Sequence, residues 1–522
     1  MARSPIFQEV RRALRLASYL EQTGTAEGIE QLEVARWDRR RFLGTTLAAA
    51  AGATLAPVFR ATAKGPQSPK VVIIGAGTAG LVCAYRLQEK GIAAKVIEAS
   101  TRVGGRMFSL RNFFPDNQMT ELGGEYVDSD HKTMHRLVKE LGLTMNDLSG
   151  EGKSGDEHAF FFNGRMVPVD AAFIDMFRPV AKAITADLKQ MKVRGEVNLE
   201  TPHAREIDRL SISEWFEKRG VTGLPVSILR AAYVGEYGLE IDEQSSLNLL
   251  VTMGDDTQDD EFRPFGESDE RFHIAEGNDA VPTRLAEKLK QPVELGVHLE
   301  SIASRDRGFR LGLKNDGGSS EETADIVVLA LPFTILRQID LSVRLPEAKR
   351  KAIKELGYGT NAKLIGGFSK RVWEEAHKTG YTFTDLPFQC CWETSRGQPG
   401  SHAILTNFAG GNLGLHLDNG DIPTRATEFV SQVEKIYPGA TEAFTGKAIR
   451  QHWPSSPFVR GSYTCYKPGQ YSTLAGSVAD PVGNLFFAGE HTSEDFNGYM
   501  EGAAESGERA AKEVLAKVGV RS

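Results

Sequence analysis

The chain has 522 residues, 41% of them hydrophobic and 25% charged, and a formal net charge of −7. That is enough chain for two domains with large cores, and an acidic balance without a basic patch argues against nucleic-acid binding. The four cysteines, Cys83, Cys390, Cys391 and Cys465, show no CxxC or zinc spacing, so neither a metal site nor a disulfide framework is implied.

Near the start, SPIFQEVRRALRLASYLE reads as an amphipathic helix. DRRRFLGTTLAAAAGATLAP follows, with Arg39 and Arg40 ahead of Phe42-Leu43 and a weakly apolar run, and Ala61-Thr62-Ala63 offers a small-residue cleavage site. Residues 1–63 therefore look like an N-terminal extension carrying a bacterial twin-arginine export signal, although Asp38 stands where Ser or Thr is commoner. The run is too diluted by Gly, Ala and Thr to give the mature chain a stable membrane span. The expectation is a protein delivered folded to the twin-arginine translocase and found in the periplasm or secreted. Residues 1–63 hold nine arginines, no lysine and six acids, so the remainder is more acidic still, at −10. Such a surface mildly favours cationic substrates.

GPQSP at 65–69 is the linker into the first domain. KVVIIGAGTAGLVCAYRLQEKG then runs from a buried strand through Gly75, Gly77 and Gly80 into a helix that Thr78 and Ala79 open, and AAKVIEAS is a second strand ending at Glu98. The glycines permit a tight turn and close backbone approach, the helix N-terminus faces a pyrophosphate, and the acid takes ribose hydroxyls. Strand, helix, second strand and acid agree on a dinucleotide-binding unit.

ASTRVGGRMFSL, ELGGEYV and, near the C-terminus, NLFFAGEHTSEDFNGYMEGAAESGERAAKEVL complete a set. In this order the motifs resemble the flavin-containing amine oxidase family, which includes monoamine and polyamine oxidases and their L-amino-acid oxidase relatives, over about residues 69 to 518. The resemblance implies FAD, with Glu98 on the adenosine ribose, Arg102 and Arg106 near the pyrophosphate, Val297 near adenine, and Gly489, Glu490 and Met500 around the ribityl and flavin. Gly105, Gly123 and Gly124 count among its cofactor contacts. It places Tyr463 and Tyr499 as an aromatic cage before the flavin, and Lys363, in NAKLIGGF, as a lysine reaching flavin N5 through a water. Each tyrosine alone also reads as a packed core residue, and the lysine also as one on an exposed strand face. Ser462 stands where monoamine oxidases carry the cysteine bonded to the flavin, so FAD is expected to be noncovalent.

The expected fold is α/β, a Rossmann-like FAD-binding domain from residues 69–145, 268–336 and 451–518, interleaved with an α+β substrate domain from 146–267 and 337–450. The resemblance implies oxidation of an amine C–N bond to an imine, with O₂ or an electron-acceptor protein as oxidant. L-Amino-acid oxidases hold the substrate carboxylate with an arginine where this chain has Tyr126, which favours a carboxylate-free amine. Arg263 or Arg271 could replace that clamp, and Glu125, Asp128 and Asp130 leave a polyamine open unless they are a solvated loop. The alternative of another class is a noncatalytic FAD-binding interaction protein, which would have no reason to keep Lys363 and the tyrosine pair together.

Overall fold

A computed structural model describes residues 13–18, 69–149, 157–194, 196–253 and 269–520. The twin-arginine stretch and Arg263 lie outside the described residues. Strand Val71–Ile74 is four consecutive β-branched residues buried on both faces, the pattern of a central parallel strand. It pairs with Ala94–Ile97 on one side and Ile326–Leu329 on the other, and Leu485–Phe487 completes a parallel sheet from three distant parts of the chain. Helix Met500–Lys517 brings its small residues against helix Thr78–Glu89. A Cβ on Gly507 would stand 2.4 Å from the Ala79 carbonyl oxygen.

A second sheet, ordered Gly318–Ala324, Phe309–Asn315, His298–Ser304 and Asp340–Ser342, lies beside the first. Asp340–Ser342 pairs with His298–Ser304, and Ala352 and Ile353 of helix Glu347–Glu355 share one core with Val72 and Ile74. The crossing expected at residue 337 therefore falls beyond residue 355, because a short strand and an amphipathic helix return to the first domain before the chain leaves it.

The second domain expected from the sequence holds a seven-stranded sheet ordered Phe444–His452, Ala362–Phe368, Ala403–Ala409, Cys390–Glu393, Lys378–Thr384, Glu157–Phe162 and Arg165–Met166. Helices from Ala171 to Met253 cover it. VDAAFIDMFRPVAKAITADLKQM divides at Phe177 into Ala171–Met176 and Arg178–Met191. Pro179 lacks a backbone N–H, so it fits a first helical turn and not a helix interior. The four cysteines are free and buried. Among the described residues no helix is long and apolar enough to cross a membrane.

Candidate active site

The parallel strands end side by side, and their C-terminal ends open onto one cavity. Gly75 follows the first strand, Glu98 the second, Ala330 the third and Gly489 the last, and all four line it. Open α/β sheets bind ligands at this place. Gly75 has φ +104°, and a Cβ there would sit 2.6 Å from the Ala330 carbonyl oxygen. A Cβ on Gly77 meets no protein atom within 4 Å, so at the helix N-terminus the backbone faces open space with room for a phosphate. Glu98 accepts the Ala76 N–H at 2.7 Å and the Ser100 N–H at 2.8 Å, which fixes its carboxylate at the rim.

Thr78, Ala79, Arg102, Gly105, Arg106, Gly124, Val297, Glu490 and Met500 line the same cavity, as does Trp453, which the sequence reading missed. Trp453 donates its indole N–H to the Leu122 carbonyl at 3.1 Å; an aromatic ahead of the PSSP turn was the signal available. Gly80 and Gly123 are not on the wall. A Cβ on Gly80 would lie 2.0 Å from the Gly75 oxygen and one on Gly123 1.7 Å from the Arg106 oxygen, so both allow close packing behind the cavity. Arg102 turns its guanidinium onto the carbonyls of Val103, Gly105 and Met107, with Phe108 stacked against it at 3.9 Å. Its protein hydrogen bonds shape the loop that forms the cavity wall.

At the other end Arg106 donates to the Ser462 carbonyl and to Glu490 Oε1, both at 2.8 Å, and Glu490 Oε2 accepts the Gly498 N–H at 2.8 Å. Burial opposes the charge on Glu490, yet the Arg106 guanidinium holds its pKa below the ordinary carboxylate range. This chain of bonds ties the first loop to both tyrosine segments. Tyr463 and Tyr499 both line the cavity and are 6% and 5% exposed. The Tyr463 hydroxyl donates to the Glu236 carbonyl, and the backbone at Gly498 lies against the Tyr463 ring. Tyr499 precedes helix Met500–Lys517 and packs edge-on to His131, ring centroids 5.2 Å apart. The positive end of that helix thus faces the cavity.

Lys363 is buried, not on an exposed strand face, and lies off the cavity wall. Its ammonium donates to Glu125 Oε2 at 2.6 Å and to the carbonyls of Glu121 and Gly123 at 2.8 and 3.0 Å. An ammonium has three protons, so the expected reach to flavin through a water finds no donor left. The other Glu125 oxygen accepts from Trp392 at 2.8 Å and from Thr394 at 2.5 Å. Burial would raise the Glu125 pKa, but Lys363 and these donors bring it down.

Glu125 and Asp128 are interior residues and no solvated loop. Asp128, Asp130 and His131 bring potential ligand atoms within 4.8 Å of one another. Burial pushes the His131 pKa down to about 3, and its Nδ1 accepts the Asp128 N–H at 3.0 Å, so this ring caps a turn. Tyr126 is tied to Tyr381 through their hydroxyls at 3.0 Å, and Arg271 is paired with Asp147. Arg271 is therefore not placed at the cavity, and Arg263 lies outside the described residues. Arg396, which sequence reasoning passed over, lies 5.1 Å from the Tyr381 ring centroid and lines a second cavity with Glu125 and Tyr126.

A model of the family described as flavin containing amine oxidoreductase matches residues 78–515. A flavin-containing amine oxidase A of Sus scrofa is 26% identical over 462 residues, covering 86% of this chain and 85% of that one. An L-amino acid oxidase of Lachesis muta is 24% identical over 463 residues, with 86% and 87% covered. The structure of cyclohexylamine oxidase from Brevibacterium oxydans superposes with a TM-score of 0.73 at 21% identity, over 87% of this chain and all of that one, which shows the shared fold.

Proposed function

The chain belongs to the flavin containing amine oxidoreductase family, and from that premise we propose that this FAD-dependent enzyme oxidises a carboxylate-free amine at the carbon next to nitrogen. The imine product hydrolyses to an aldehyde or ketone with ammonia or a smaller amine, and O₂ is reduced to hydrogen peroxide. The bound flavin supplies the two-electron acceptor.

The observation that carries this reading is that Tyr463 and Tyr499 stand on the wall of the same cavity as the glycine turn and Glu98. Their rings exclude water and orient the neutral amine. Arg106 and Glu490 hold the loops that carry both rings in one arrangement. Ser462 supports noncovalent FAD, since its hydroxyl donates to Asn361 Oδ1 at 2.6 Å and offers no thiol for attachment. Export by the twin-arginine route is supported by Arg39, Arg40 and the apolar run, and by a cofactor that must be enclosed before transport.

Tyr126 at the clamp position, tied to Tyr381, favours amines. Arg396 beside that pair favours the second reading, an L-amino-acid oxidase giving a 2-oxo acid. Anaerobic flavin bleaching against monoamines, polyamines and L-amino acids separates them. Bleaching by simple amines is expected; bleaching by arginine or phenylalanine and by no simple amine reverses the assignment.

A further inference from the structure

Residues 13–18 are helical and lie well upstream of Arg39 and Arg40. Ala13, Leu14, Arg15, Leu16 and Ala17 are all at most 5% exposed. A helix resting on a surface keeps a polar, solvated face; five consecutive buried residues mark an inserted element. Ala13, Leu14 and Ala17 join the core that contains Val180, Ile184 and Leu188 of helix Arg178–Met191 and Leu249, Leu250 and Met253 of helix Ser246–Met253.

The polar contacts are specific as well. Arg15 Nε donates to the Met253 carbonyl at 3.1 Å, on helix Ser246–Met253. Ser18 Oγ lies 3.0 Å from Thr185 Oγ1 on helix Arg178–Met191. The helix that Arg15 contacts also carries Asn248, which donates to the Tyr466 carbonyl at 3.0 Å, three residues beyond Tyr463. The N-terminal segment thus closes the substrate domain behind the cage.

We propose that residues 13–18 are a permanent element of the substrate domain, docked between helices Arg178–Met191 and Ser246–Met253, and that they stay seated when the chain is cut downstream of them. The occupant of the groove is this chain's own segment.

Mass spectrometry of the purified, exported holoenzyme should find peptides covering residues 13–18 at one per protomer, whether or not the chain is cut after Ala63. Holoenzyme without them overturns the proposal. In the full-length chain, a protease site inserted after Gly24 should, once cut, leave the N-terminal fragment co-eluting with the body in gel filtration. A synthetic peptide of residues 1–24 should displace that fragment, and the same peptide with Leu14→Asp should compete at least tenfold less well. A fragment that elutes alone, or equal competition by the two peptides, overturns the docking.

Discussion

Lys363 Nζ lies 2.6 Å from Glu125 Oε2, and the two residues, 238 apart in sequence, are 2% and 3% exposed. A buried pair of this kind contributes little net stability, but removing one partner strands the other, at a cost of about 3–5 kcal/mol. Lys363→Met should therefore unfold at markedly lower urea. Glu125→Gln/Lys363→Met should recover most of the loss, since the amide removes the stranded charge and still accepts from Trp392 and Thr394. Equal midpoints for Lys363→Met and wild type would contradict the pair.

The same double variant isolates the role of Lys363 in catalysis. A group acting in proton transfer at the reacting centre is worth roughly 10² to 10⁴ in rate. All three Lys363 donors are committed to protein acceptors. With flavin occupancy equal to wild type, stopped-flow rates of amine oxidation and of reoxidation are therefore expected to stay within about tenfold. A loss of about 10² or more in either half-reaction would mean that the pair opens when flavin and amine are bound.

These two residues mark the boundary of what the sequence carries. Gly75, Gly77, Gly80 and Glu98 were legible because one turn and two adjacent strands set their geometry, and local spacing survives in a linear chain. That Lys363 lies on a strand was legible from its apolar neighbours, and its burial was expected only through the family resemblance. Its partner was not, since Glu125 reaches it from a loop of another segment. Arg102 shows the same limit: its place beside the glycine loop was readable, but not that its guanidinium turns onto loop carbonyls. The domain crossing was misplaced because Asp340–Ser342 is too short to announce which sheet it joins.

Ser462 gives a direct test of flavin attachment. Its side chain points to Asn361, and Cys465 is buried beside Asn248. Acid precipitation should release the yellow chromophore into the supernatant, and the supernatant flavin should equal the total. Flavin retained in the pellet would show a covalent bond formed elsewhere.

Export is tested through Arg39 and Arg40. Replacing both with lysine keeps the charge but removes the planar guanidinium groups. Holoenzyme should then accumulate in the cytoplasm with its FAD bound, and periplasmic flavoprotein should fall by at least tenfold. Unchanged periplasmic activity would exclude the twin-arginine route.

Lys349 predicts how stability responds to pH. It is 1% exposed, donates to the Val478 carbonyl at 2.7 Å, and lies 3.9 Å from the Phe487 ring centroid. Burial pushes its pKa from 10.5 down to about 7. Below about 7 both folded and unfolded chains carry the ammonium, and the full cost of burying that charge is present. Between about 7 and 10.5 the unfolded chain holds a proton that the folded one has released, so this contribution makes stability rise with pH across that window. Lys349→Met removes the buried charge and keeps the volume, at the cost of an unpaired carbonyl worth about 1–3 kcal/mol. One pKa unit corresponds to about 1.4 kcal/mol, so the Met variant should gain most over wild type at pH 6. That advantage should shrink or change sign by pH 9.5. Urea midpoints of both proteins at the two pH values measure the difference; one that is the same at both would show that Lys349 is charged in the folded protein throughout.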